Sequence, residues 1–169
     1  DVGARVVEVM RELAGARGGP RWRYTDRAKT AERLNLKQAA DRERARELIA
    51  GADVLVEGFR PGAMERLGLG PDDCAALNPR LVYARITGWG QDGPRSQLAG
   101  HDINYLAATG APDAIGTPDS GPVPPLNLLA DFAGGSLQAA YGICAALLEG
   151  ERSGRGCVIG IGMAEGVLV

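Results

Sequence analysis

The sequence predicts a layered α/β fold, a mostly parallel sheet flanked by helices. Three observations carry that expectation. Short apolar or β-branched runs at Arg5–Met10, Val54–Val56, Leu81–Ile86 and Cys157–Ile161 read as strands. Stretches with helical spacing or helix boundaries fall between them. Strands that alternate with helices pack as crossovers onto a parallel sheet, and such sheets bind ligands outside the carboxyl ends of their strands.

In chain order, the strand at Arg5–Met10 is followed by residues 15–30, rich in Gly and Arg without a period and read as a loop. Residues 34–36 suggest a second short strand. Residues 41–50 place small and apolar residues at helical spacing with charges between, and Gly51 ends them as a helix stop. After Val54–Val56, a short helix is expected over 61–67, with Pro61 near its start, and another over 71–77, closed by Asn78-Pro79. Leu81–Ile86 is the clearest strand. A loop over 89–99 and a helix over 102–109 follow. Residues 111–125 contain Pro112, Pro118, Pro122, Pro124 and Pro125 and are expected to be irregular. One long apolar helix is expected over 127–148, then a turn at 153–156 and a last strand.

The 169 residues suffice for one domain with a core. A net charge of −2 and 5% aromatic residues give no footprint for nucleic acid. Seventeen of the basic residues are Arg, which fits either genome composition or phosphate and carboxylate ligands. Cys74, Cys144 and Cys157 are far apart and form no metal-type spacing, so no metal is expected, and unpaired thiols point to a reducing, cytoplasmic setting. No apolar run is long enough to cross a bilayer and no signal peptide is visible, so no membrane partner is expected. The first residue is Asp, and residues 163–169 read as a helix cut in its first turns. The chain therefore reads as an excerpt of a longer protein.

Four places could carry chemistry. Thr87–Pro94 has three glycines within a loop after a strand, and lacks both the P-loop ending and the dinucleotide fingerprint. It fits ligand contact or a plain turn. Arg60 stands between a strand end and an expected helix start, a ready anion site, or is a solvated surface Arg. His101, the only histidine, sits at an expected helix start. It is a capping residue or, as a neutral imidazole, a general base. Asp131 lies among apolar and small residues, as a carboxylate that is paired or used, or as a helix-start Asp satisfied by backbone N–H groups. Gly134, Gly135 and Ser136 after it suggest a surface open to a ligand.

The stretches Ala52–Gly62, Glu65–Gly70, Asn78–Pro94, Gly100–Tyr105 and Pro122–Ser136 resemble the class III CoA-transferases and α-methylacyl-CoA racemases, from about Leu34 to the end of the chain. The resemblance implies a Rossmann-like large domain, a smaller second domain and an interlocked homodimer. Residues 1–169 would then be part of the CoA-binding large domain, without the small domain and the returning C-terminal segment. It also implies that coenzyme A is part of the substrate and that no cofactor is held permanently. The Asp matching Asp131 is a nucleophile in the transferases and one of two acid/base groups in the racemases. The other is the His of the motif that reads Gly100–Tyr105 here. With that motif intact, the resemblance favours an isomerase of fatty acid metabolism that epimerises 2-methylacyl-CoA thioesters through an enolate, with His101 and Asp131 moving the proton. N–H groups at the helix start around Asp131 are expected to stabilise the enolate oxygen. A CoA-transferase and a non-catalytic CoA-binding fragment are the alternatives.

By the same resemblance, Arg11, Leu34, Asn35, Leu36, Lys37, Gly58, Phe59, Arg60 and Arg66 contact coenzyme A. Gly100, His101, Asp102, Ile103, Asn104 and Tyr105 line the same ligand.

Overall fold

The computed structural model describes residues 3–11 and 28–168. The chain divides into two compact units, Asp1–Leu48 and Ile49–Val169.

In the first unit, β1 (Val6–Met10) pairs in parallel with β2 (Lys29–Arg33), Val6 opposite Lys29 and Met10 opposite Arg33. The second strand thus lies upstream of the expected 34–36. Lys29–Arg33 carries three charged residues and little β propensity, so pairing with the Val-rich β1 sets its conformation. Leu34 is buried, and its N–H donates to the Met10 carbonyl at 2.9 Å. Most of the expected loop over 15–30 lies outside the described residues, and its last two, Lys29 and Thr30, are strand. The expected helix is α1 (Ala39–Ala50), two residues longer at its start.

The second unit is built on three parallel strands in the order β3 (Val54–Glu57), β4 (Val82–Thr87), β5 (Cys157–Gly162). β4 is central, and its Val82, Tyr83 and Ala84 are buried. Between β3 and β4 run α2 (Ala63–Arg66) and α3 (Pro71–Leu77), which bring Met64, Leu69 and Cys74 into the core. Tyr83 is 2% exposed, and its hydroxyl donates to the Leu69 carbonyl at 2.9 Å. Burial, then the charge of Glu57, pushes its phenol pKa well above the ordinary tyrosine range. Asn78, the residue after α3, donates through Nδ2 to the carbonyls of Ile49 and Ala52, closing the turn before β3.

The connection from β4 to β5 departs most from expectation. α4 (Asp102–Thr109) has the expected bounds. The proline-rich stretch after it opens with a short helix, α5 (Ala111–Ile115). Pro112 is tolerated there because the first turn of a helix has no use for its N–H. The remainder is irregular apart from a bridge between Thr117 and Gly121. The single helix expected over 127–148 is two: a π-helix over Leu128–Leu137, then α6 (Gln138–Ser153), which runs past the expected end.

α7 (Met163–Gly166) follows β5 directly and packs against the π-helix. A Cβ on Gly134 would come within 2.8 Å of the Met163 carbonyl oxygen, and one on Gly166 would overlap the Gly134 backbone. Only glycine fits at this crossing. Gly134 and Gly135 are therefore buried, and the open ligand surface expected at Gly134–Ser136 reduces to Ser136.

Since the ladders are parallel and in register, Glu57, Thr87 and Gly162 end on one edge of the sheet. Residues 58–62, residues 88–101 and α7 all leave from that edge. No helix among the described residues is long and apolar enough to cross a membrane.

Candidate functional site

Glu57 and Arg85 face each other across the β3–β4 ladder. The Arg85 Nε donates to Glu57 Oε1 at 2.9 Å, with side chains only 11% and 2% exposed, and its Nη2 reaches Glu65 Oε1 at 2.9 Å. Burial opposes the guanidinium charge, but the Glu57 hydrogen bond and the two carboxylate charges outweigh it and hold the Arg85 pKa above its ordinary value. The free oxygen of Glu57, Oε2, accepts the N–H of Phe59 at 2.7 Å. An ion pair inside the sheet thus fixes the first turn of the loop that carries Phe59 and Arg60, which are both exposed.

Arg60 does not stand at a helix start. Gly62 turns the chain through a positive φ of 80° and α2 begins only at Ala63, with four residues. Arg66 ends that turn, its guanidinium Nη1 lying 3.1 Å from where a Gly62 Cβ would be. Both cations are exposed and open to an anion, without a helix dipole behind them.

His101 is the residue before α4, extended and exposed. Asn104 reaches back to accept the His101 N–H at 2.9 Å, and the His101 carbonyl accepts the Asn104 N–H at 2.8 Å, a reciprocal pair that fixes the entry to the helix. Asp102 is 4% exposed. Its Oδ2 accepts two backbone N–H groups from the π-helix, Ala130 at 2.9 Å and Asp131 at 2.8 Å. The other oxygen, Oδ1, is buried without a hydrogen-bond partner. The turn that presents His101 is therefore joined to the residue that presents Asp131. Asp131 itself is half-buried, and its carbonyl accepts the Ser136 hydroxyl at 2.9 Å across the wide turn of the π-helix.

Tyr105, Leu106 and Ala130 form the buried cluster beneath, packed against Trp89, Leu129, Met163, Ala164 and Val167. Trp89 and Tyr105 meet edge to face with centroids 4.9 Å apart. A Cβ at Gly88 or at Gly100 would overlap the Tyr105 ring, which is the use of two of the glycines in this segment. The Ala164 N–H donates to the Gly88 carbonyl at 3.0 Å, tying α7 to the same junction. Burial, and then the charge of Asp131, raises the Tyr105 pKa.

The expected ligand residues separate by unit and by exposure. In the first unit Arg11 and Lys37 are exposed, Asn35 and Leu36 half-buried and Leu34 buried. The carbonyls of Leu36 and Lys37 accept Arg42 Nη1 at 3.2 and 3.0 Å. In the second, Gly58, Phe59, Arg60, Arg66, His101, Ile103 and Asn104 are exposed and Gly100 is half-buried. Asp102 and Tyr105 are core residues, so their side chains serve the junction.

Two functional features have weak sequence signals. Asp102 looks like an ordinary first-turn acid, and nothing local marks its carboxylate as buried. Glu57 and Arg85 could have been found as lone charges in apolar strands, VLVE and VYARIT, which a parallel register brings opposite one another.

Fold and site together define a parallel α/β protein whose candidate site gathers at the carboxyl edge of its sheet around a histidine and two aspartates. The chain belongs to CoA-transferase family III, whose family model matches residues 1–169. It is 49% identical over 166 residues to the mouse (Mus musculus) alpha-methylacyl-CoA racemase, covering 98% of this chain and 42% of the relative. It is 40% identical over 149 residues to an acetyl-CoA:oxalate CoA-transferase of Acetobacter aceti, covering 86% and 37%. The crystal structure of a hypothetical protein from Mycobacterium tuberculosis superposes with a TM-score of 0.84 at 33% identity, covering 98% of this chain and 49% of that one. The chain thus spans about two fifths of the length of these curated relatives.

Proposed function

We propose that the whole protein carrying this chain epimerises 2-methylacyl-CoA thioesters, with His101 and Asp131 as the two proton-transfer groups. One observation carries the reading: the residue after His101 hydrogen-bonds the backbone of Asp131, so both groups belong to one junction at the ligand edge of the sheet. The racemase relative, 49% identical over 98% of the chain, supports it.

One of the two groups removes the α-proton, and the C–H electron pair moves into the thioester as an enolate. The other group returns a proton to the opposite face, so no atom is gained or lost. The enolate oxygen needs donors. The N–H groups of Ala130 and Asp131, expected in that role, already donate to Asp102. The first N–H groups of α4, at Asp102 and Ile103, have no acceptor within the helix and take their place in this reading. Arg60 and Arg66 bind coenzyme A phosphates as exposed cations. The homodimer, the second domain and a cytoplasmic setting belong to the same proposal, the last resting on Cys74, Cys144 and Cys157, none of which is in a disulfide.

The test is to incubate the whole protein with a 2-methylacyl-CoA in deuterated water and follow the α-position by proton NMR. His101→Ala and Asp131→Ala should each lower inversion by about 10²–10⁴-fold. The transferase relative, 40% identical, supports a second reading with Asp131 as nucleophile. It requires that Asp131→Ala abolish CoA exchange between a thioester and a free acid, with His101→Ala having little effect. Parent-rate inversion in both variants would exclude the two-base mechanism.

A further inference from the structure

The carboxylate of Asp102 has no place in the proton transfer, yet it is the most enclosed charged side chain at the junction. It lies one residue after His101, is 4% exposed, and spends one oxygen on the N–H groups of Ala130 and Asp131. Its second oxygen is buried and partnerless, a cost that folding would avoid with a smaller apolar residue in the same slot. The π-helix makes such a tie useful. Its turns are wider and less regular than those of an α-helix, so the direction of the Asp131 side chain is not set by the helix alone.

We propose that Asp102 is a positioning residue, a strut between α4 and the π-helix that sets where Asp131 stands relative to His101. This rests on the two-base reading above. Inversion needs both groups aligned on opposite faces of one carbon, whereas exchange of the α-proton with solvent on one face needs only one of them. Loosening the strut should therefore uncouple the two. A variant that merely lost folded enzyme would lower inversion and exchange together and leave their ratio unchanged.

The experiment measures both rates on the whole protein with 2-methylacyl-CoA in deuterated water, for the parent, D102A and D102N. Misplacing a catalytic group by about 1 Å costs on the order of 10²-fold. D102A should lose inversion on that scale, lose exchange by less, and keep the parent KM. D102N retains an oxygen that can accept both N–H groups and should recover the ratio of inversion to exchange. Should D102A fail to fold, D102S serves in its place, because its shorter side chain cannot reach both donors. A parent-like ratio in D102A or D102S overturns the strut, as does a D102N ratio as low as that of D102A. A parent that neither inverts nor exchanges the α-proton overturns the two-base reading itself, and the strut with it.

Discussion

Two parts of the same sheet edge are held by opposite means. The loop after β3 is fixed by charge: Glu57, Arg85 and Glu65 link side chain to side chain, and Glu57 passes the constraint to the Phe59 N–H. The junction of α4, the π-helix and α7 is fixed by backbone: Asp102 takes two main-chain N–H groups, and glycines let main chains and the Tyr105 ring approach closely. The first arrangement sets one loop and leaves Arg60 free to reach. The second leaves no such latitude.

The sharpest way to break this contrast is to remove the central cation. Arg85→Met leaves Glu57 buried and unpaired and should cost about 3–5 kcal/mol, read by urea unfolding. Coenzyme A affinity should fall with it, as the Phe59 turn loosens. In the other region, Gly88→Ala drives a methyl group into the Tyr105 ring. The expected cost is about 1–3 kcal/mol, with a loss of turnover at unchanged coenzyme A affinity. A loss of affinity instead would show that the two regions are not independent.

Alkaline titration separates them further. Tyr83 lies beneath the ion pair and Tyr105 beneath the junction, and burial raises both phenols, helped by Glu57 and Asp131 respectively. Each favours the neutral form in the fold. Its contribution to stability is therefore complete below the unfolded tyrosine value of about 10 and is lost as pH rises through the raised folded value. Tyrosinate absorbance should lag in the folded protein, and denaturant stability should decline above that pH. Glu57→Gln should ease the lag of Tyr83, and Asp131→Asn that of Tyr105. The smallest effect belongs to Glu65→Gln. Glu65 is 43% exposed, so losing its arm of the ion pair should cost about 0–1 kcal/mol and leave the Phe59 turn in place.

The strands of the second unit were legible because each is a short apolar or β-branched run beside a glycine, although only β4 is largely buried and Val56 and Val158 are exposed, and α4 because His101 and Gly110 bound a helical pattern. β2 was missed because its strand state comes from its neighbour rather than from Lys29–Arg33. The π-helix was missed because the residues that read as one long helix do not record whether an N–H pairs four or five positions back. At the site, residue type singled out His101 and Asp131, and the structure joins the residue after His101 to the Asp131 backbone. Asp102 was placed among the ligand residues, and the structure turns its carboxylate inward. Burial of a side chain in a first turn depends on what crosses it, here Ala130, twenty-eight residues away.

The π-helix also makes this stretch unusual in its response to chain length. Its N–H groups pair five residues back rather than four, so each bond encloses one residue more than in an α-helix. Removing one residue between Phe132 and Leu137 would let the bonds that span the deletion close in the α pattern. A deletion elsewhere in a helix shifts the whole surface that follows; here it would be absorbed by the change of ladder, and the toll would fall on the direction of Asp131. Residue count in this stretch thus acts beside the Asp102 tie on the direction of that carboxylate.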